Sequence, residues 1–273
     1  MTSWDAGLVV RDVLVRAVMV PLRRPLATKV GDFSRWPLLL IDVSTEQGIV
    51  GRSYLAPYLD RAATVLLPAV RDLGAGLRGR PVAPGAAYRE ARRWFGLAGY
   101  QGLALAAVAG LDIALWDVLA KSAGLPLARL LGGTVEPVPA YNSNGLGLIP
   151  PAAAGDEALE LLAEGEFTAL KVRVGRTFAA DDVAAVRRVR EAVGDRVVLV
   201  ADYNQGLDLG EALQRCRALD TKALPGLKNH CVTTTSMAMP GSLVTSARRS
   251  CSGRTSTARA PCSKPSRRKP ATW

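Results

Sequence analysis

Residues 197–208 read Val-Val-Leu-Val-Ala-Asp-Tyr-Asn-Gln-Gly-Leu-Asp, and this stretch indicates how the chain folds. Five apolar residues in a row are typical of a strand that is buried on both faces. The run ends in Asp202 and Asn204, which are two residues apart, so their side chains point to the same face of the strand. We therefore predict a strand of a parallel sheet with a polar site at its carboxyl end, where ligands collect in such sheets.

The region around this stretch alternates between strand and helix patterns. We predict strands at 138–141, 169–174 and 197–201, and helices at 155–165, 180–193 and 209–219. Repeating strand–helix units of roughly 30 residues imply a parallel sheet or barrel. We assign residues 137–225 to a partial barrel of about three such units.

Residues 1–136 have a different pattern. Strands rich in Val, Leu and Ile are predicted at 8–20 and 37–44, and helices at 60–73, 86–95 and 101–122. This is an α+β unit that precedes the barrel segment.

The composition limits the class of protein. A chain of 273 residues that is 49% hydrophobic can bury a sizeable core. Its first residues lack the basic segment and apolar core of a signal peptide, so we expect a cytoplasmic protein. The apolar window 102–111 is too short to span a bilayer, which favours a buried helix and no membrane partner. Four cysteines in a chain of this length do not indicate a disulfide scaffold.

The formal net charge of +11 is concentrated at one end of the chain. Residues 226–273 contain nine Lys or Arg and no acid, which leaves 26 basic and 24 acidic residues in the first 225. The first 225 residues are therefore nearly neutral, and the basic character belongs to the last 48.

Charged side chains occur at the ends of the predicted barrel strands. Lys171 and Arg173 share one face of their strand, as Asp202 and Asn204 do of theirs. Charges at such positions are costly unless they bind or pair with something. Two interpretations stay open on spacing alone, namely a ligand site and a structural Lys–Asp ion-pair network.

Several motifs carry a family resemblance. Residues 202–208 after their apolar strand, and the Leu-Lys-Val-Arg-Val-Gly context of Lys171 and Arg173, resemble mandelate racemase and its relatives in the enolase superfamily. Residues 97–100, 110–117 and 126–133 resemble other segments of that family in the same order. The resemblance covers residues 8 to about 225.

The resemblance implies a fold and an activity. The family has an α+β capping domain and a modified TIM barrel, binds Mg²⁺, and abstracts the proton α to a carboxylate. Its substrates include hydroxy acids and sugar acids, and intact members form homo-oligomers. By this resemblance Asp202 is the first of three acidic metal ligands, and Lys171 faces the substrate carboxylate.

The resemblance also implies contacts to the substrate. Asn204, Ser143 and Tyr141 correspond to substrate-binding positions at the strand ends. Arg173 stands where mandelate racemase has the lysine that acts as a base. Because guanidinium keeps its proton, Arg173 is a poor general base, and this departure favours a one-base dehydratase over a racemase.

The last 48 residues do not resemble the family. They are rich in Ser, Thr, Arg and Pro and have no apolar periodicity, so we predict a disordered tail. If one base is added before the codon of Gly226, the reading frame shifts. Codons that encode residues 226–231 can then encode Trp-Ile-Glu-Glu-Pro-Leu, and codons for residues 253–260 can encode Gly-Glu-Asn-Phe-Tyr-Gly-Pro-Arg in the same frame. Both are family segments that carry acids. We infer a frameshift near Pro225 that removes the later metal ligands and leaves this chain inactive.

The alternative is a non-catalytic protein whose basic tail binds nucleic acid or an acidic partner. Nine clustered cations are enough for non-specific phosphate contacts. The tail has no interleaved aromatics apart from Trp273, and His230 with three scattered cysteines shows no zinc spacing. Nucleic acid is therefore the less favoured partner.

Overall fold

The computed structural model describes residues 7–219 and 226–228. The N-terminal unit contains an antiparallel sheet in the order β1 (Val10–Thr28), β2 (Gly31–Thr45) and β3 (Val50–Leu55). Burial alternates along β2, and Leu39, Ile41 and Val43 are fully buried. This alternation is the pattern expected of a strand in a sheet that covers the core with one face and is more exposed on the other.

The β1–β2 hairpin is longer than the predicted strands and changes character along its length. Pairing is continuous from Asp12 opposite Ser44 to Pro21 opposite Arg35, and it resumes only at Leu26 opposite Phe33. Proline lacks the N–H that a ladder needs, and both Pro21 and Pro25 lie in or beside the interruption. The hairpin tip, residues 26–33, is thereby set apart from the rest of the ribbon.

Helices cover the inner face of this sheet. They are α1 (Asp60–Ala75), α2 (Pro84–Trp94), α3 (Leu103–Ser122) and the short α4 (Leu127–Leu130). A Cβ at Gly110 of α3 would lie 2.7 Å from Ile41 Cδ1 and 3.0 Å from Leu55 Cδ1. Glycine at this position therefore lets α3 approach the sheet closely.

The helix α3 is long and apolar enough to cross a membrane by length and composition. A core helix passes the same test. Leu111, Leu115 and Val118 are at most 5% exposed and belong to the cluster that also contains Leu39 and Ile41. These contacts support the sequence interpretation of α3 as a core helix of the N-terminal unit.

The C-terminal unit alternates strands and helices. A 3₁₀ turn (Pro151–Ala153) leads into α5 (Ala154–Ala163), β4 (Ala169–Arg173), α6 (Ala179–Val193), β5 (Val198–Asp202), α7 (Leu209–Leu219) and β6 (Gly226–Lys228). The three strands form a parallel sheet in the order β4-β5-β6. Leu170, Val172 and Leu199 are at most 1% exposed and pack with α5 and α6 residues in one core. The predicted strand–helix alternation is confirmed over these elements.

Two sequence predictions are wrong in detail. Residues 138–141 do not form a ladder, and only an isolated bridge joins Asn142 to Leu170. The prolines at 137 and 139 cannot donate to a ladder, which accounts for the difference. Residues 226–228 form β6, so the tail does not begin as irregular chain at Gly226. The rest of the predicted disordered, frame-shifted tail lies outside the described residues.

The far half of the hairpin contacts the C-terminal unit. The backbone N–H of Leu148 donates to the carbonyl of Ala27 at 2.8 Å. Arg24 forms ion pairs with three acids on or just after α5, namely Glu157, Glu160 and Glu164. β1 therefore belongs to the sheet of the first unit and also docks on the second.

Candidate active site at the strand ends

The ends of β4 and β5 bring the predicted residues together. The parallel register sets Arg173 opposite Asp202 and Lys171 opposite Val200. Lys171, Arg173 and Asp202 are 9%, 5% and 2% exposed. Three charged side chains are thus buried at the same edge of the sheet, where each needs a partner.

Lys171 and Asp202 form an ion pair. Lys171 Nζ donates to Asp202 Oδ2 at 3.1 Å. The same ammonium lies 5.9 Å from the centroid of the Tyr141 ring, within the range of a cation–π contact. The predicted Lys–Asp ion pair is therefore present. It is compatible with a ligand site, because Lys171 can also bind an anion and Asp202 can also bind a cation.

The chain turns sharply after Asp202. Asn204 and Gln205 both have left-handed backbone conformations, with φ of 51° and 61°. Asp202 Oδ1 accepts the backbone N–H of Asn204 at 2.8 Å, which holds this turn against the strand end. The buried Oδ1 of Asn204 has no hydrogen-bond partner within the described residues. Strained residues and unsatisfied buried atoms cluster at functional sites, so this turn is a candidate ligand contact.

Arg173 is held by carbonyl groups rather than by a carboxylate. Its Nη1 donates to the carbonyls of Gly145 at 2.6 Å and Ser143 at 3.2 Å. Its buried Nε has no partner among residues 7–219 and 226–228. Burial lowers the pKa of the Arg173 guanidinium below its ordinary value, and the charge of Asp202 partly offsets this. A buried donor without a partner is what a site for an anionic ligand would present.

The structure therefore brings together all six residues singled out in the sequence. Lys171, Arg173 and Asp202 are adjacent and buried, and Asn204 and Tyr141 contact two of them. Ser143 contributes its carbonyl oxygen to Arg173.

A buried acid that the sequence reasoning missed fixes the loop after β4. Asp182 is fully buried in the first turn of α6. Its carboxylate accepts the backbone N–H groups of Gly175 at 3.0 Å and Arg176 at 3.1 Å. It also pairs with the Arg176 and Arg215 side chains at 3.2 and 3.0 Å. The sequence did not mark Asp182 as a buried ion-pair partner, because acids in the first turn of a helix are common and usually interact with the helix dipole.

Asn142 is a second residue that the sequence reasoning missed. Its Nδ2 donates to the Leu161 carbonyl at 2.9 Å and to Glu164 Oε2 at 2.8 Å. A hydrogen bond from Arg24, and to a smaller extent one from Asn142, holds the pKa of the Glu164 carboxyl below its usual range. Asn142 thus connects the segment that carries Ser143 to the contact between the two units.

Family models match both units. The N-terminal domain of mandelate racemase / muconate lactonizing enzyme matches residues 10–132. The enolase C-terminal domain-like model matches residues 153–224. The chain belongs to this family. The fold is accordingly the enolase-superfamily one, with an α+β capping domain and a partial C-terminal barrel.

Solved relatives share this fold. The chain is similar to an enolase from the alpha proteobacterium BAL199 with bound Mg, at 42% identity and a TM-score of 0.80, covering 84% of this chain and 64% of that one. An enolase from Bradyrhizobium complexed with magnesium and mandelic acid has 35% identity and a TM-score of 0.76, covering 84% and 63%. The chain thus spans less than two thirds of the length of these two relatives.

A curated relative is an enzyme of known substrate. L-talarate/galactarate dehydratase of Salmonella typhimurium strain LT2 is 38% identical over 128 residues, which are 46% of this chain and 32% of the relative. Family members with other names include a hydrophobic dipeptide epimerase of Enterococcus faecalis, at 28% identity over 77% of this chain and 58% of the relative. The family therefore includes dehydratases and epimerases.

Magnesium is the cofactor found in solved members of this family. Residues 7–219 and 226–228 contain no group of three or more His, Cys, Asp or Glu side chains that could hold a metal ion. Asp202 is the acid at the strand ends, and it is paired with Lys171. Mg²⁺ needs six oxygens in a near-octahedral arrangement, so the described residues alone do not fit the ion.

Proposed function

We propose that this chain carries the first part of the active site of an enzyme that abstracts the proton α to a carboxylate. The observation that carries the proposal is the buried cluster of Lys171, Arg173 and Asp202, in which the Nε of Arg173 has no partner among the described residues. Family membership and the magnesium-containing relatives support it. The substrate class is a hydroxy acid or sugar acid.

The cations of the cluster suit this reaction. An α-carbon proton is very weakly acidic, and its removal leaves an enediolate whose charge must be stabilised as it develops. Lys171 would bind the substrate carboxylate, which would replace Asp202 as its partner. Arg173 adds a fixed positive charge beside it, and Asn204 and Tyr141 contribute polar contacts. In a complete barrel Asp202 would be one of the acids that hold Mg²⁺, which would supply further positive charge to the enediolate.

Arg173 favours dehydration over racemisation. A racemase needs a proton acceptor on each face of the substrate, and a guanidinium that stays protonated in proteins does not provide one. Burial lowers the pKa of Arg173 but leaves the guanidinium a poor base at neutral pH. A one-base reaction that eliminates water from a hydroxy acid needs only one acceptor, which the missing part of the barrel would supply.

The assay is made on the enzyme with its reading frame restored. Lys171→Ala should lower kcat by about a hundredfold to a thousandfold, as expected for one charged contact in a closed site. Lys121→Ala is the matched control, since Lys121 pairs with Asp117 on the N-terminal unit and should leave kcat unchanged. If Lys171→Ala retains full activity on every acid that the restored enzyme dehydrates, the assigned role of Lys171 is wrong.

We further propose that the chain as written is inactive because of a one-base frameshift near codon 225. The family match ends at residue 224, next to the point where the alternative frame begins to permit family segments. Sequencing the gene across this codon tests the idea directly. The nucleotides after codon 225 should encode Glu-Glu-Pro and, further on, Gly-Glu-Asn in the alternative frame, and any other reading in that frame refutes the frameshift.

A further inference from the structure

The helices of the N-terminal unit border a pocket that shares no residue with the candidate active site. The pocket lies between α1, α2 and α3 and has a volume of about 210 Å³. Buried apolar side chains form much of its lining, namely Leu77, Val108, Leu111 and Leu115, each at most 9% exposed. Because an apolar cavity of about 150 Å³ holds a benzene molecule, this pocket has room for an aromatic ring with a short chain attached.

Asp112 brings a carboxylate to this apolar pocket. The residue lies in the middle of α3, so the partial positive charge at the start of the helix does not stabilise it. Its neighbours one turn away along α3 are Val108, Ala109, Leu115 and Trp116. None of them is a cation that could pair with it. In the described part of the chain the Asp112 carboxylate has no hydrogen bond or ion pair, and burial raises its pKa.

The other charged residues around the pocket do not neutralise Asp112. Arg80 is the one cation among the described residues that line it, and its guanidinium donates to Glu90 Oε1 at 3.0 Å. Asp72 is exposed at the rim and likewise has no ion pair among residues 7–219 and 226–228. Three acids and one cation give the lining a net charge of −2. The pocket is therefore complementary to a cation.

We propose that this pocket binds a small primary ammonium compound with an apolar body, whose ammonium pairs with Asp112 while the apolar body packs against Leu77, Leu111 and Leu115. An acid that is partly desolvated and has no partner costs stability, and a bound cation removes this cost. A titratable side chain of this kind in a cleft is a mark of a ligand site. The proposal concerns the capping domain alone and does not depend on the function proposed for the strand ends.

The test compares two ligands of nearly the same shape on the purified 273-residue chain by titration calorimetry. Phenethylammonium carries the positive charge, and 2-phenylethanol has a neutral hydroxyl in its place. We expect phenethylammonium to bind about tenfold more tightly than the alcohol, the value of one hydrogen bond to a charged group. The chain has a net charge of +11, which disfavours non-specific binding of a cation, so this preference reports on the pocket.

Substitutions then assign the charge that the ammonium recognises. Asp112→Asn should weaken phenethylammonium binding by about tenfold and leave 2-phenylethanol binding unchanged. Asp72→Asn should weaken the amine only about twofold to threefold, because an exposed charge is screened by solvent. Asp195→Asn is the matched control, since it changes the net charge equally at an exposed position of the C-terminal unit and should alter neither affinity.

A further variant locates the apolar part of the ligand. Ala91 of α2 lines the pocket, so Ala91→Leu should occupy part of it and weaken both ligands. Because Asn at position 112 removes a desolvated charge, loss of amine binding in Asp112→Asn does not reflect unfolding. Equal affinities for amine and alcohol, unchanged amine binding in Asp112→Asn, or no amine binding at millimolar concentration would each overturn the inference.

Discussion

Replacing Asp182 with Asn should destabilise the C-terminal unit strongly. Asp182 is fully buried, and its carboxylate is the partner of both Arg176 and Arg215. Asn keeps the shape but removes the charge, so two nearly buried guanidinium groups lose a counter-ion. Removing one partner of a buried ion pair costs about 3–5 kcal/mol. Arg215 keeps Glu211 at 2.9 Å, which places the expected loss near the lower end, at about 3 kcal/mol.

Urea unfolding followed by far-ultraviolet circular dichroism measures this loss. A decrease of about 3 kcal/mol should lower the unfolding midpoint by about 1 M or more. Asp181→Asn is the matched control, because Asp181 lies in the same first turn of α6 and has no ion pair in the described part of the chain. It should cost no more than about 1 kcal/mol, the value of an acid near a helix N-terminus. Equal midpoints for the two variants would refute the reasoning.

Three further predictions follow from the described contacts. Burial raises the pKa of the Asp112 carboxyl above its ordinary value, so the charged form is disfavoured in the fold. Asp112→Asn should therefore stabilise the protein at pH 7, and urea unfolding should show that the gain disappears at acid pH well below the ordinary pKa of an Asp carboxyl, where Asp112 is protonated in both the folded and the unfolded state. An equal gain at both pH values would contradict this. Calorimetry should find no Mg²⁺ binding tighter than millimolar in this chain, and micromolar binding abolished by Asp202→Ala would be the contrary result. In the frame-restored enzyme, deuterium exchange at the α-carbon should be confined to one enantiomer until Arg173→Lys installs a second base; comparable exchange of both enantiomers with Arg173 in place would show that our assignment is wrong.

The strand ends of the site were predictable because their signals are local. The alternation of side chains along β4 predicted that Lys171 and Arg173 share one face. The apolar run before Asp202 predicted that this acid lies at the end of a strand. The parallel arrangement of the strands followed from the helices between them, whereas the pairing of Arg173 with Asp202 was known only from the structure. Lys171 and Asp202 form an ion pair as the spacing allowed, at 3.1 Å.

The groups missed by sequence reasoning depend on contacts between distant segments. Asp182 and Arg215 are 33 residues apart and meet only after α6 and α7 pack on the sheet. Lys29 is likewise far from Gly206 in the chain, yet a Cβ at Gly206 would lie 2.7 Å from Lys29 Cβ. The strand predicted at 138–141 was wrong for a local reason. Its apolar residues suggested a strand, but the prolines at 137 and 139 cannot donate the hydrogen bonds that a ladder needs.

The hairpin that docks on both units sets an order of events during synthesis. The sheet β1–β3 with α1 and α3 contains all the residues of its own core once Ser122 has left the ribosome. The far half of the same hairpin finds Glu164 and Gly206 only after the ribosome has released those residues as well. The first strand to be made is therefore among the last to complete its contacts, and a nascent chain halted before residue 206 exposes a ribbon that a chaperone would recognise.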